Sequence, residues 1–314
     1  MLMTARSAGI QIRKWSFVAL AILPVSASAE LLHYTTGSSV HTWNPDTGHI
    51  TEVSTYTERL GAIVFDSSGV MFAVAPVSGG IVRLDTSGSW SQVVNGLNQP
   101  NRLAEYGPGR VLYASQLSSG VITRIDQSGG VSDWVTLPEM ITGLLCDIDG
   151  SIFATGGKKV FRVAPDGSYS TFADLSNAID SSYIVSGITR AADGTLYVAR
   201  QGQIGLVYSL TRQGELQLVG GHPDRLYYAF QVAANELNQI SVLHIWSPFV
   251  GYSQLTSLTN GRTIGYSGFE ASGIAFASAA VPEPGSLPLF AIGAAVIAVA
   301  VRGTRRKVFR KITS

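Results

Sequence analysis

An internal repeat of about 42 residues constrains the fold of this chain more than any other feature. Four stretches share an apolar segment, a turn containing glycine and a second apolar segment, at Gly61–Ala75, Asn101–Ser115, Gly143–Gly156 and Gly187–Arg200. Their turn glycines are 40, 41 and 44 residues apart, at Gly69, Gly109, Gly150 and Gly194. A regular recurrence of this length indicates that one supersecondary unit is built several times.

A second turn signal gives the number of units. Segments such as LDTSG and APDG place a glycine where a hairpin turn requires positive φ. The signal occurs six times, at Gly48, Gly88, Gly129, Gly167, Gly214 and Gly261. The 252 residues from Glu30 to Val281 therefore divide into units of 42, the length of a four-stranded propeller blade. A helical repeat is disfavoured because the period of 3.6 residues is absent.

The two ends of this region predict how the ring closes. Ser272–Ala279 repeats the pattern of the first strand of a unit, whereas the segments after Glu30 resemble later strands. The C-terminal segment is thus expected to supply the inner strand of a blade whose outer strands are N-terminal, which removes an open edge. The unit Tyr227–Gly268 diverges, because Asn235–Asn238 replaces the Asp-x-x-Gly turn. The sequence predicts an all-β, six-bladed propeller over residues 30–280.

The repeat pattern resembles six-bladed propellers of the NHL and gluconolactonase/regucalcin kind, and the Gly-His and Trp-Asp pairs of WD40 blades are absent. The gluconolactonase resemblance implies a glutamate, an asparagine and an aspartate around one divalent cation. Glu58, Asn101 and Glu270 are the candidate ligands just before inner strands, but no aspartate occupies a corresponding position. We therefore predict no catalytic residue, cofactor or metal site, and keep a Ca²⁺-, Mn²⁺- or Zn²⁺-dependent lactonase as an alternative.

Residues 1–29 have the three parts of an export signal. Arg6, Arg13 and Lys14 precede the apolar run Trp15–Leu23, and small residues follow it. Ala27 and Ala29 have the spacing of a cleavage site, so signal peptidase is expected to cut before Glu30 after export by the Sec translocon. Nine apolar residues are too few to span a membrane.

Residues 281–314 have three parts in a fixed order: a Pro-Glu-Pro triplet (281–285), an uncharged run (286–301) and a basic tail (302–314). The run of 16 residues reaches roughly 24 Å as a transmembrane helix. Positive charge favours a cytoplasmic tail and an inner-membrane intermediate. The signal residues are Pro282, Glu283 and Pro284 in the triplet, and Arg302, Arg305, Arg306 and Lys307 in the tail.

This order of parts resembles the PEP-CTERM sorting signal of Gram-negative bacteria. The resemblance implies processing by an exosortase, display at the cell surface or in the extracellular matrix, and a host that makes exopolysaccharide and biofilm. An unprocessed propeller anchored by a single span is the alternative.

Charge excludes some partners of the exported part. The formal net charge of the whole chain is +1, but three cations lie in the signal peptide and six in the tail, so residues 30–301 carry all 21 acids and 13 cations. A net charge near −8 argues against nucleic acid. Cys146 is the only cysteine and is expected to be a small buried strand residue. The sequence favours a binding or structural protein, with a polysaccharide or a surface protein as partner.

Overall fold

A computed structural model describes residues 30–106, 111–179, 183–202, 205–220, 227–247, 252–266 and 271–276. The predicted signal peptide, with Ala27 and Ala29, and the predicted sorting signal at 281–314 lie outside these residues. No helix in the described ranges is long and apolar enough to cross a membrane. The predicted transmembrane helix at 286–301 lies outside those ranges.

The described residues form 24 strands in six sheets of four. The first strands are β1 (Leu32–Thr36), β2 (Ser39–Trp43), β3 (Ile50–Thr55), β4 (Ile63–Phe65), β5 (Met71–Ala75), β6 (Gly80–Leu84), β7 (Trp90–Val94), β8 (Pro100–Tyr106), β9 (Val111–Gln116), β10 (Val121–Ile125), β11 (Val131–Thr136) and β12 (Ile141–Cys146). The others are β13 (Ile152–Gly156), β14 (Lys159–Val163), β15 (Tyr169–Asp174), β16 (Ile184–Arg190), β17 (Leu196–Gln201), β18 (Leu206–Leu210), β19 (Leu216–Gly220), β20 (Tyr227–Ala234), β21 (Ile240–Ser247), β22 (Tyr252–Ser257), β23 (Thr263–Tyr266) and β24 (Ala271–Phe276).

Each sheet is one antiparallel blade, which confirms the predicted six-bladed propeller. Five blades are consecutive in sequence: β4–β7, β8–β11, β12–β15, β16–β19 and β20–β23. The remaining blade has the order β24-β1-β2-β3, with Leu32 opposite Phe276 and Tyr34 opposite Ile274. The C-terminal strand is therefore the inner strand of the blade that closes the ring, as predicted. The inner strands are β24, β4, β8, β12, β16 and β20.

The ring has two faces, which we name by the chain segments that lie there. Inner strands begin at the connection face, where one blade leads to the next, and end at the turn face, where each chain reverses into its second strand. The connection face carries Glu58 and Val77, and the turn face carries Asp66 and Ile148.

The hydrophobic core lies between neighbouring blades. Strand β5 is buried at all five residues because both faces of its blade pack against a neighbour, whereas the outermost strand β3 is largely exposed. At the closing blade, Tyr34 and Trp43 pack with Leu243 and Leu255 of β21 and β22. Burial of these large side chains at the junction holds the N- and C-terminal strands in the ring.

The turns have the chemistry that the sequence indicates. In the first turn, Asp66 Oδ1 accepts hydrogen bonds from Ser68 N and Val70 N, each at 2.9 Å, and Gly69 has φ of +79°. All six glycines of the second signal have φ between +73° and +86°. The divergent unit is a blade as well, because Asn235 replaces the aspartate as acceptor and Asn238 takes the left-handed position with φ of +58°.

Candidate functional site

The central channel contains a small cavity, and two of the polar side chains that line it are hydrogen-bonded. A cavity of about 240 Å³ is lined by inner-strand residues of all six blades. Gln231 Oε1 accepts a hydrogen bond from Ile274 N at 2.9 Å. Arg102 Nε donates to Thr142 O at 2.8 Å, and burial lowers the pKa of Arg102 to about 10. These side chains therefore join neighbouring blades beside the channel.

At the start of three inner strands, a hydroxyl group donates a hydrogen bond to the next blade. Ser272 Oγ donates to Leu60 O at 2.7 Å. Thr142 Oγ1 donates to Val185 O at 2.6 Å, and Ser186 Oγ donates to Ala229 O at 2.8 Å. These hydroxyls satisfy buried backbone carbonyls of the neighbouring blade.

Glycines after these hydroxyls let the inner strands approach one another. Gly143, Gly187 and Gly273 each follow a Ser or Thr, and a Cβ on Gly187 would lie 2.7 Å from Gln231 Cα. The strand register shifts at the same place in β12, β16 and β24, so each strand has a bulge there. The Ser/Thr-Gly pair is a repeated signal in the sequence, but the predictions from sequence did not include it.

The candidate metal ligands do not come together in the described structure. Glu58 Oε2 accepts a hydrogen bond from Ser78 N at 3.0 Å and its Oε1 accepts one from Ser78 Oγ at 2.5 Å. Asn101 Oδ1 accepts a bond from Arg102 Nη1 at 3.4 Å, and Glu270 lies outside the described residues. Within the described ranges, no group of three or more His, Cys, Asp or Glu side chains is placed to hold a metal ion.

A larger cavity, of about 750 Å³, lies at the turn face and contains two ion pairs. Arg190 Nη1 donates to Asp147 Oδ1, and Arg162 Nη2 donates to Asp149 Oδ2. Both aspartates come from the turn after β12, Arg162 comes from β14 and Arg190 from β16. Arg212, from the turn after β18, also lines the cavity.

The pKa values of the acidic groups at this cavity are shifted in different directions. Hydrogen bonding from Ser151 N holds the pKa of Asp149 below its usual value, and Arg162 adds to this effect. Burial raises the pKa of Glu30, whose Oε2 accepts a hydrogen bond from Glu236 N at 3.1 Å. Glu30 is therefore part of the cavity wall.

Aromatic rings form the apolar part of the same cavity. The rings of Phe153 and Phe172 meet edge to face with centroids 5.0 Å apart, and the guanidinium of Arg162 lies 5.8 Å from the Phe153 ring. Apolar surface with a few oriented polar groups, in a cavity of this size, is typical of ligand sites. The sequence predicted the Asp-x-x-Gly turns but not the cavity, because its arginines come from separate strands.

Cys146 is the last residue of β12 and is half-buried, whereas the sequence predicted a buried residue. Burial raises the pKa of its thiol to about 12, and the charges of Glu105 and Asp147 act in the same direction. A thiol with so high a pKa is not a nucleophile at neutral pH, in agreement with the predicted structural role.

Comparison with known proteins gives one match in sequence and several in fold. Residues 280–307 match the family model described as the PEP-CTERM protein-sorting motif. No curated protein shows significant similarity to the sequence.

Three solved structures illustrate the likeness in fold. A protein in the nidogen/laminin complex is 14% identical, with TM-score 0.64 over 79% of this chain and 98% of that chain. Streptogramin B lyase is 16% identical, with TM-score 0.55 over 79% and 87%. Virginiamycin B lyase from Staphylococcus aureus is 15% identical, with TM-score 0.53 over 76% and 84%. At these identities the likeness shows the fold alone.

The sorting motif implies an exported protein directed to the cell surface. The chain therefore joins a six-bladed β-propeller, with neighbours of the NHL and virginiamycin B lyase type, to a PEP-CTERM sorting motif at residues 280–307.

Proposed function

We propose that this protein is an exported surface propeller that binds a hydroxyl-rich polymer, such as a matrix polysaccharide, without transforming it. The turn-face cavity carries this proposal. Asp147 and Asp149 are paired with Arg190 and Arg162, so these groups are poor acids, bases or nucleophiles but can still accept hydrogen bonds from hydroxyl groups or donate to them. The half-buried ring of Phe172 beside them offers apolar surface for the carbon side of a sugar.

In this proposal, the C-terminal sorting signal directs the protein to the cell surface, where it binds the polymer. In the proposed order, the Sec translocon exports the chain, signal peptidase cuts after Ala29, and the helix at 286–301 holds the intermediate in the inner membrane with the basic tail in the cytoplasm. An exosortase then processes the chain at the segment Pro282–Pro284. The match at 280–307 supports this order. One of the similar propellers was solved in a complex with another protein, which supports a binding role for the fold.

Mass spectrometry of the mature protein tests the sorting step. Cells with active exosortase should yield protein without peptides beyond Pro284, and cells without it should yield the complete tail. Persistence of the tail in both cells would instead establish the unprocessed, single-span form.

Affinity measurements with polymers of different charge test the binding role. Neutral dextran and cationic chitosan are expected to bind more tightly than acidic alginate, because the exported part has a net charge near −8. Arg212→Ala in the cavity should change the affinity, whereas Arg83→Ala, at an exposed position of β6 away from the cavity, should not. Equal effects of the two substitutions, or no binding of any polymer, would refute the cavity as the site.

A further inference from the structure

Both routes out of the described ring leave from one face. Strand β24 ends at Phe276, and strand β1 begins opposite it, with Leu32 paired to Phe276. Phe276 and Glu30 both line the turn-face cavity. The chain toward the sorting signal and the chain toward the predicted signal peptide therefore start beside the same cavity.

The segment between the ring and the predicted membrane helix is short. Nine residues, 277–285, separate Phe276 from the start of the uncharged run at Ser286. At an extension of about 3.3–3.6 Å per residue they span at most about 30 Å. Most strands are five to seven residues long, so the connection face lies roughly 17–24 Å farther away. Because the chain leaves from an inner strand, a path around the blade to that face must also cross three strand spacings of about 4.8 Å, which makes it roughly 31–38 Å. A tether of this length restrains which face is nearer to the membrane.

We propose that the unprocessed chain is held with its turn face, and hence the 750 Å³ cavity, toward the lipid bilayer, and with its connection face outward. The proposal rests on the membrane intermediate of the proposed function. The tether, not adhesion, sets this orientation, because acidic side chains such as Asp66, Asp149 and Asp166 recur at the turn face and are repelled by anionic lipid.

This orientation has a consequence for the binding site. A large polymer reaches the cavity only through the gap between the turn face and the bilayer while the chain is tethered. Processing at Pro282–Pro284 releases the ring from the helix and opens the approach. The precursor should therefore bind long polymers more weakly than short oligomers of the same sugar.

Energy transfer from a labelled cysteine to acceptor lipids tests the orientation. The full chain, with Cys146→Ser, is placed in lipid nanodiscs with a donor dye at one of two exposed apolar positions. Ile148→Cys places the dye at the turn face, where the native side chain is 84% exposed. Val77→Cys places it at the connection face, where the native side chain is 77% exposed. The two sites are matched in exposure and side-chain type.

The expected result is clearly higher transfer from position 148 than from position 77. Equal or reversed transfer in chains that co-elute with nanodiscs overturns the orientation but leaves the membrane intermediate intact. Chains that do not co-elute with nanodiscs overturn the membrane intermediate itself. Because both substitutions are at exposed turn positions, an unchanged thermal unfolding midpoint serves as the check on folding.

Discussion

Substitution of Gly187 by alanine should destabilise the ring through two separable effects. Gly187 has φ of +57°, a left-handed conformation that costs a residue with a Cβ about 1–2 kcal/mol. The new Cβ would also lie 2.7 Å from Gln231 Cα and 2.8 Å from Phe230 O in the next blade. Moving strand β20 away to relieve this contact costs roughly 1–3 kcal/mol. The expected total loss of unfolding free energy is about 2–5 kcal/mol.

Two other glycines isolate the two effects. Gly37 has φ of +55°, but no heavy atom lies within 4 Å of the position that a Cβ would take there, so Gly37→Ala should show only the backbone cost of about 1–2 kcal/mol. Gly143 does not have positive φ, but a Cβ there would lie 3.0 Å from Gly187 Cα and 2.6 Å from Thr155 Oγ1. Gly143→Ala should therefore show only the contact cost, about 1–3 kcal/mol.

Urea unfolding of the three variants and the parent protein measures these losses. The slope of free energy against urea should be the same in all four, so that the midpoints report stability. If Gly187→Ala loses no more stability than Gly37→Ala, the close approach of the inner strands does not limit this position, and the argument from the contact is refuted.

Four further outcomes are expected. Thr142→Val should cost about 1–3 kcal/mol in urea unfolding, because it leaves the buried Val185 carbonyl without its donor, whereas Thr55→Val at an exposed position should stay within about 0.5 kcal/mol. Burial lowers the pKa of His33 to about 4, so the unfolded chain binds a proton that the folded chain does not between pH 6.5 and 4. Stability should fall by about 3 kcal/mol as pH falls through this window, and His33→Gln should remove this loss. Asp66→Ala should lower the unfolding midpoint more than Asp85→Ala, because Asp66 is buried and Asp85 is only half-buried. Ca²⁺, Mn²⁺, Zn²⁺ and EDTA should leave the midpoint unchanged, and a shift that Glu58→Gln abolishes would support the lactonase alternative.

The fold can be predicted from the sequence because the sequence signals for its turns are local. Each Asp-x-x-Gly turn is specified within about five residues, and the six copies of the second turn fix the number of blades without any knowledge of contacts between them. Even the divergent unit obeys the same rule, since Asn238 tolerates the left-handed conformation that glycine adopts elsewhere.

The cavity does not follow from the sequence because its residues meet only after the ring closes. Glu30 contacts Glu236, 206 residues away, and Arg190 reaches Asp147 in the preceding blade. Glu30 and Glu236 have no spacing that a repeat would reveal, and the 43-residue spacing of Arg190 and Asp147, although it is one blade length, does not by itself indicate a cavity. The Ser/Thr-Gly pairs were detectable, but their meaning depends on which blade follows, and the hydroxyl of Ser272 bonds to a carbonyl 212 residues earlier in the chain.

The distribution of polar side chains between the two parts of the ring argues for a ligand at the turn face. Around the channel, Thr142, Ser186 and Ser272 each satisfy a backbone carbonyl, and releasing one for a ligand would leave that carbonyl buried without a partner. The Arg162–Asp149 ion pair of the turn-face cavity has no such constraint, because both side chains are about half exposed and can exchange their mutual contact for contacts with a ligand at little cost. Binding at the turn face is therefore compatible with an intact ring, whereas binding through the channel hydroxyls would weaken the joints that close it.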